Sequence, residues 1–329
     1  MARPGEDALI ARHFAPISGP GADALRDDAA SLTLTPGHDL VVTADAIVAG
    51  VHFFPDDRPA SLARKALGVN LSDLAAKGAR PRGFLLTLAL PRDWTDDWLA
   101  AFAAGLGAAS AATGCPLLGG DTVRSNGGLM IAVTAFGEVP TDGMVRRPGA
   151  SVGDVLCVTG TIGDAALGLA ARSSPDAAWA RGLAPEHREM LLDRYLHPRP
   201  RLALAPVLRG RARAAMDVSD GLAGDLAKML RLERLTARVR IADVPLSAAA
   251  RAALADDPAL VRTVLTGGDD YEILCAVPPD AVPDFLAEAR AAEVPTAAIG
   301  VVEAGEAPPV FVAREGRELR FEAGSFSHF

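Results

Sequence analysis

The stretch Ala215-Met216-Asp217-Val218-Ser219-Asp220-Gly221-Leu222 restricts the fold more than any other part of the chain. An apolar lead-in ends on Asp217. A second carboxylate follows three residues later, then a glycine, then the helical spacing Leu222, Leu226, Met229, Leu230. That order predicts a strand, a turn and a helix with two aspartates at the corner. Carboxylates in that place either cap the helix or hold a hard divalent cation. Acidic residues follow or interrupt apolar segments elsewhere too, at Asp27-Asp28, Asp45, Asp73 and Asp121.

The chain of 329 residues is long enough for two domains. A stretch rich in Pro, Gly and Arg over 140–152 sets the expected boundary, giving domains of 1–143 and 150–329. In the first, 7–14 and 60–77 read as helices, and a third helix starts at Thr95-Asp96-Asp97. Asn70, Asp73 and Lys77 form a stripe on the 60–77 helix and face one way. Residues 39–44 read as a strand delivering Asp45 to its end. Residues 116–118 run the same way into Gly119-Gly120-Asp121, and 83–90 and 129–139 are further strands. In the second domain strands are expected over 155–159 and 236–241, and from Gly267-Gly268-Asp269-Asp270-Tyr271-Glu272 through Ala276. Helices are expected after Asp164, over 175–209 with proline breaks, and over 247–256 and 281–291, with a hairpin over 309–321. Alternating helices and strands in both halves predict an α/β or α+β fold.

The net charge of −8 and the lack of a Lys/Arg run argue against nucleic acid or a membrane surface as partner. No apolar run reaches membrane-spanning length, and the N-terminus lacks a signal peptide's apolar core. Cys115, Cys157 and Cys275 are odd in number and far apart. They fit neither a disulfide framework nor a zinc site, and a reducing cytoplasm is expected. Cys157 and Cys275 sit in apolar runs and read as small buried residues.

The chain has three lysines, Lys65, Lys77 and Lys228, and none lies in a GxxxxGK[S/T] loop. A protein that handles nucleoside triphosphates without such a loop places the charge neutralisation on metal ions. Several aspartates can each give one oxygen to shared Mg2+ ions that carry the phosphates. Each residue also has a plainer reading. A single Asp at a strand end is most often a cap, His52 a satisfied structural histidine, and Gly119-Gly120 and Gly267-Gly268 plain turns. Arg146-Arg147 reads as a solvated surface or a phosphate clamp.

A resemblance adds to this reading. The set Asp27-Asp28-Ala29-Ala30, Thr43-Ala44-Asp45-Ala46 with Gly50-Val51-His52-Phe53, Lys65-Ala66-Leu67 through Asn70-Leu71-Ser72-Asp73, Gly119-Gly120-Asp121-Thr122, Met216-Asp217-Val218-Ser219-Asp220-Gly221, Gly267-Gly268-Asp269-Asp270-Tyr271-Glu272 and the terminal His328-Phe329 resembles the thiamine-monophosphate kinases. The motifs span nearly the whole chain. The resemblance implies the two-domain fold of the aminoimidazole ribonucleotide synthetase-like (PurM-like) superfamily, with an N-terminal ATP/Mg-binding domain that forms a β-barrel interface in a homodimer. It implies ATP-dependent phosphorylation of thiamine monophosphate to thiamine diphosphate, the last step in making that cofactor. Carried over by position, Asp28, Thr43, Asp45, Asp73, Asp121, Asp217 and Asp220 would ligate Mg2+, with Asp45, Asp73 and Asp217 the most critical. Gly120, Asp121, Arg147 and Ser219 would contact ATP. His52, Asp269 and a C-terminal aromatic, Phe326 or Phe321, would contact thiamine monophosphate. The chain departs from the family pattern at Ala24-Leu25-Arg26, where Gly-Ile-Gly is usual, and at Ala44, where a hydroxyl residue is usual. It departs again at Asp269, where Glu is usual, and at Ala323, where an aromatic is expected. A selenophosphate synthetase-like enzyme of the same fold, a two-metal phosphatase and a non-catalytic Mg-nucleotide sensor are the alternatives.

Overall fold

The computed structural model describes residues 5–321, so Phe326, Ala323 and the terminal His328-Phe329 lie outside the described residues. The chain divides into two compact units. One runs to Leu74 and resumes over Ala79–Gly143; the other comprises Ala75–Gly78 and the chain from Met144 onward.

The first unit is built on a sheet of four strands: β1 (His38–Val48), β2 (Arg80–Leu90), β3 (Leu117–Arg124) and β4 (Met130–Pro140), in the order β1-β4-β2-β3. β4 is antiparallel to both neighbours, and β2 and β3 are parallel. A parallel pair needs a crossover, and the helix Asp96–Thr113 supplies it. Its start is fixed by Thr95, whose side chain accepts the Trp98 N–H at 3.1 Å, and its end by Gly114 at φ +64°. Leu99, Phe102 and Leu106 are fully buried on its inner face. Along β4, Ile131, Val133 and Ala135 are buried while Ala132, Thr134 and Phe136 are half-buried, so the sheet has one covered and one open face. In β1, Val41 and Ile47 are buried on the covered side, where Thr43 is half-buried and Asp45 exposed, and on the other side Leu40 and Val42 are 46% and 53% exposed.

Asp45 and Asp121 do not stand at strand ends as the sequence suggests. β1 continues to Val48 and β3 to Arg124, because Ile47 and Val123 extend the two-residue apolar alternation past each carboxylate.

Among its described residues the second unit holds seven strands: β5 (Val155–Thr159), β6 (Ala214–Asp217), β7 (Leu235–Arg240), β8 (Ile273–Val277), β9 (Thr296–Ala304), β10 (Val310–Val312) and β11 (Glu318–Leu319). Their order is β11-β10-β7-β9-β5-β8-β6. β10 pairs with β7 in parallel and the other neighbours are antiparallel. Leu156, Val158, Met216, Leu274 and Ala276 enter one apolar cluster; Cys157, Ala215, Ile273, Cys275 and Val277 enter another. Successive side chains therefore supply two cores on opposite faces, which is why β5, β6 and β8 read as unbroken apolar runs. Leu222, Leu226, Met229 and Leu230 of the helix Leu222–Arg231 join the first core. Val207 and Phe285, from the helices Ala205–Arg211 and Val282–Ala291, join the second. All three cysteines are buried free thiols, and burial pushes Cys115 and Cys157 up to about 12.

Candidate active site

In the first unit the helix Pro59–Ala76 positions the polar groups. It is buried nearly all round, with Leu62, Leu67, Leu71 and Leu74 at 1% exposure or less, so each polar residue on it needs a partner. Asn70 is fully buried. Its Nδ2 donates to the Ala66 carbonyl at 3.0 Å and its Oδ1 accepts the Asp45 N–H at 3.0 Å. β1 is an edge strand, and this contact satisfies one of its outward N–H groups while fixing the backbone under Asp45. One turn on, Asp73 Oδ2 accepts the Thr43 hydroxyl at 2.5 Å. Asn70 and Asp73 thus both grip β1, and Thr43 and Asp45, two residues apart, share the face they meet. Lys77, past the end of the helix and part of the second unit, does something else: its Nζ donates to the Ala215 carbonyl of that same unit at 2.7 Å.

His52 follows β1 in a tight turn. Its Nδ1 accepts the Val48 N–H at 3.1 Å, which leaves Nε2 as the proton-bearing nitrogen of the neutral ring. Its carbonyl receives the ammonium of Lys65, a fully buried lysine whose role the sequence reading did not anticipate.

Asp28, Gly120 and Asp121 line one cavity of about 1020 Å³ together with Leu40, Leu85 and Phe136 of the open sheet face. Gly120 has a specific reason to be glycine. It lies opposite Leu86 in the parallel β2–β3 pair, and a Cβ there would stand 1.8 Å from the Leu86 carbonyl oxygen. The Ala24-Leu25-Arg26 departure occupies a short turn in which Asp23, Ala24 and Leu25 all have positive φ. Arg26 there pairs with Asp23 at 2.7 Å.

In the second unit Asp217 ends β6, buried at 7% exposure, and Ser219 and Asp220 form the expected corner before the helix Leu222–Arg231. Gly221 enters that helix at φ +116° with the Thr266 carbonyl 2.6 Å from any added Cβ. The loop Gly267–Glu272 lies directly on this corner. The Asp269 N–H donates to the Ser219 carbonyl at 2.8 Å, Tyr271 N–H to Val218 at 2.9 Å, and Val218 N–H to Glu272 at 2.8 Å. Four predicted residues, Asp217, Ser219, Asp220 and Asp269, are therefore neighbours. Asp269 and Tyr271 both have positive φ, 70° and 51°, a conformation held only by strong surroundings. Those surroundings are the buried carboxylates flanking them. Asp270 accepts the Gly163 N–H at 2.7 Å, and burial pushes its carboxyl well above the ordinary range. Glu272 receives Arg194 at 2.7 Å, the Nε and Nη2 of Arg201, and the Thr159 hydroxyl at 2.7 Å. Arg147 is exposed. Phe321 packs edge-on against Phe311 at 5.4 Å with Arg262 over its ring, so it serves the core.

The candidate metal ligands are all hard oxygens, the donor type that Mg2+ takes. Among the described residues no three His, Cys, Asp or Glu side chains gather into a metal-holding group. Mg2+ is usually bound through one or two carboxylates, retained water and substrate phosphates rather than an all-protein cage. The Asp45/Asp73/Thr43 set and the Asp217/Asp220 pair fit that mode.

Two family models match the chain: AIR synthase related protein, N-terminal domain, over residues 26–139, and AIR synthase related protein, C-terminal domain, over 151–312. This places the chain in the class of two-domain AIR synthase-related proteins. The thiamine-monophosphate kinase of Caulobacter vibrioides is 41% identical over 323 residues, 97% of this chain and 89% of that one. The crystal structure of thiamine-monophosphate kinase from Stenotrophomonas maltophilia K279a is similar with a TM-score of 0.80 and 38% identity, covering 90% of this chain and 91% of that one. AaThiL complexed with AMPPCP and TMP is similar with a TM-score of 0.77 and 27% identity, covering 98% and 94%. The chain belongs to the thiamine-monophosphate kinase family.

Proposed function

We propose that this protein transfers the γ-phosphoryl group of ATP to thiamine monophosphate, giving thiamine diphosphate and ADP. The observation that carries the reading is the pairing of helix 59–76 with β1. It holds Asp45 by its backbone and Asp73 by the Thr43 hydroxyl, in a relative-supported kinase that has no phosphate-binding lysine loop. Mg2+, when bound, neutralises phosphate charge and orients the transfer. Asp28, Thr43, Asp45, Asp73 and Asp121 would hold Mg2+ in the first unit, and Asp217 and Asp220 in the second. Gly120, Asp121, Arg147 and Ser219 contact ATP. His52, Asp269 and Phe326 contact thiamine monophosphate. The attacking phosphate oxygen is already anionic near neutral pH, so the chain needs no general base. Positioning and charge neutralisation do the work.

The open face of the first sheet, with Leu40 and Val42 exposed, is the face a second copy covers in a homodimer. Three reduced, buried thiols suit the cytoplasm. Among the described residues no helix is long and apolar enough to cross a membrane. The test is incubation with Mg-ATP and thiamine monophosphate followed by chromatographic separation of the thiamine esters. Thiamine diphosphate is expected to form in step with ADP. Phosphate released to water regardless of thiamine monophosphate would instead assign a phosphatase, and ATP left intact a sensor.

A further inference from the structure

The described bonds of Lys228 go to two carboxylates at once. Its ammonium contacts Asp220 Oδ2 and lies 3.0 Å from Asp225 Oδ1. Asp225 is fully buried, and its other oxygen accepts the Asp220 N–H at 2.9 Å. Asp220 is thus held twice, by its amide through Asp225 and by its carboxylate through Lys228. The two sites differ in access: the Asp220 side chain is 35% exposed and Lys228 28%, whereas Asp225 is 1% exposed. An incoming cation can reach Asp220 but not Asp225.

The residue type matters. The chain holds 33 lysines and arginines, of which three are lysine. Two other buried carboxylates are clamped by arginine, Glu272 by Arg194 and Arg201 and Glu138 by Arg80 and Arg82. A guanidinium fork locks a carboxylate in two directions. An ammonium is a compact, strongly hydrated point charge on a flexible stem and can let one partner go while keeping the other.

We propose that Lys228 is an internal stand-in cation: it occupies Asp220 in the metal-free protein and withdraws onto Asp225 when a divalent cation takes Asp220. This rests on the reading of Asp220 as a metal ligand. Lys228 is a positioning residue that sets metal affinity by competition. Two positive charges on one carboxylate repel, so every metal-binding event must displace the ammonium. Asp225 is the parking site, and it keeps the Asp220 amide fixed throughout the exchange.

The test is Mn2+ binding without nucleotide, read by electron paramagnetic resonance with Mg2+ as competitor, on wild type, Asp220→Asn and Lys228→Gln. Binding is expected to weaken in Asp220→Asn and to tighten on the order of tenfold in Lys228→Gln, as expected for removing one adjacent charge. Weakening in Asp220→Asn with unchanged or weaker binding in Lys228→Gln overturns the inference and leaves the metal reading standing. No change in Asp220→Asn removes the metal role of Asp220, and the inference with it. A second measurement needs no variant. Amine-reactive labelling of the wild type is expected to fall several-fold at Lys228 when Mg2+ is added, because the ammonium leaves the part-exposed Asp220 for the buried Asp225. Equal labelling with and without Mg2+ contradicts the exchange.

Discussion

At the residue scale the candidate site depends on hydrogen bonds that hold carboxylates in place. The Thr43 hydroxyl aims Asp73 at 2.5 Å. Thr43→Val keeps the shape and removes the bond, so steady-state turnover is expected to fall roughly ten- to hundredfold with little change in melting temperature. Unchanged turnover would show that Asp73 needs no such aim. Glu272→Gln should act differently, because it leaves Arg194 and Arg201 without their charge partner. A stability loss of about 3–5 kcal/mol in denaturant titration is expected, and wild-type stability would contradict the clamp. The aspartates themselves were legible in the sequence, since a carboxylate is conspicuous beside apolar residues. Their partners were less so. Asp225 and Lys228 look like an ordinary helix face, and only their placement at i and i+3 beneath Asp220 gives them meaning. Arg201 and Glu272 lie 71 residues apart, a pairing no local pattern encodes.

Elements with strong periodicity were the most readable. The helices Pro59–Ala76 and Asp96–Thr113 fall where apolar spacing and the Thr95 cap place them. β9 and the short helix Val261–Thr266 escaped the sequence reading. β9 opens Thr-Ala-Ala-Ile-Gly, where two alanines and a glycine interrupt the β-branched residues, and its Gly300 is dictated by a neighbour: a Cβ would stand 2.3 Å from the Arg238 carbonyl oxygen. Its strand character comes from β5 and β7 on either side. A pH test belongs at this scale. Glu138 on β4 ties the sheet to Thr35 and to Arg80 and Arg82 of β2. Burial alone would raise its carboxyl, but the Thr35 amide, the Arg80 guanidinium, the Thr35 hydroxyl and Arg82 outweigh it and bring the pKa to about 2 from the ordinary 4.5. A depressed carboxyl contributes stability that is present above pH 4.5 and lost as pH falls toward 2. Glu138→Gln is therefore expected to be less stable than wild type by on the order of 2 kcal/mol at neutral pH, the gap closing below pH 4.5. A gap independent of pH would contradict the ion pairs as its cause.

For the whole molecule, the sequence carried the α/β class and the motif set, whereas the open apolar sheet face emerged only from the strand register. Cross-strand neighbours Val42 and Phe136 put apolar surface on a side that no helix pattern announced. Val42→Asp is expected to shift sedimentation from dimer to monomer while the far-ultraviolet circular dichroism stays the same. A wild type that sediments as a monomer would remove the dimer proposal. The central claim is that metal-bearing aspartates replace a lysine-bearing phosphate loop. It is tested most directly by single-turnover phosphoryl transfer to thiamine monophosphate at saturating Mg2+ in Asp73→Ala and, separately, Asp217→Ala. Each is expected to lose at least about a hundredfold in rate with the fold intact; wild-type rates in both variants would contradict the account.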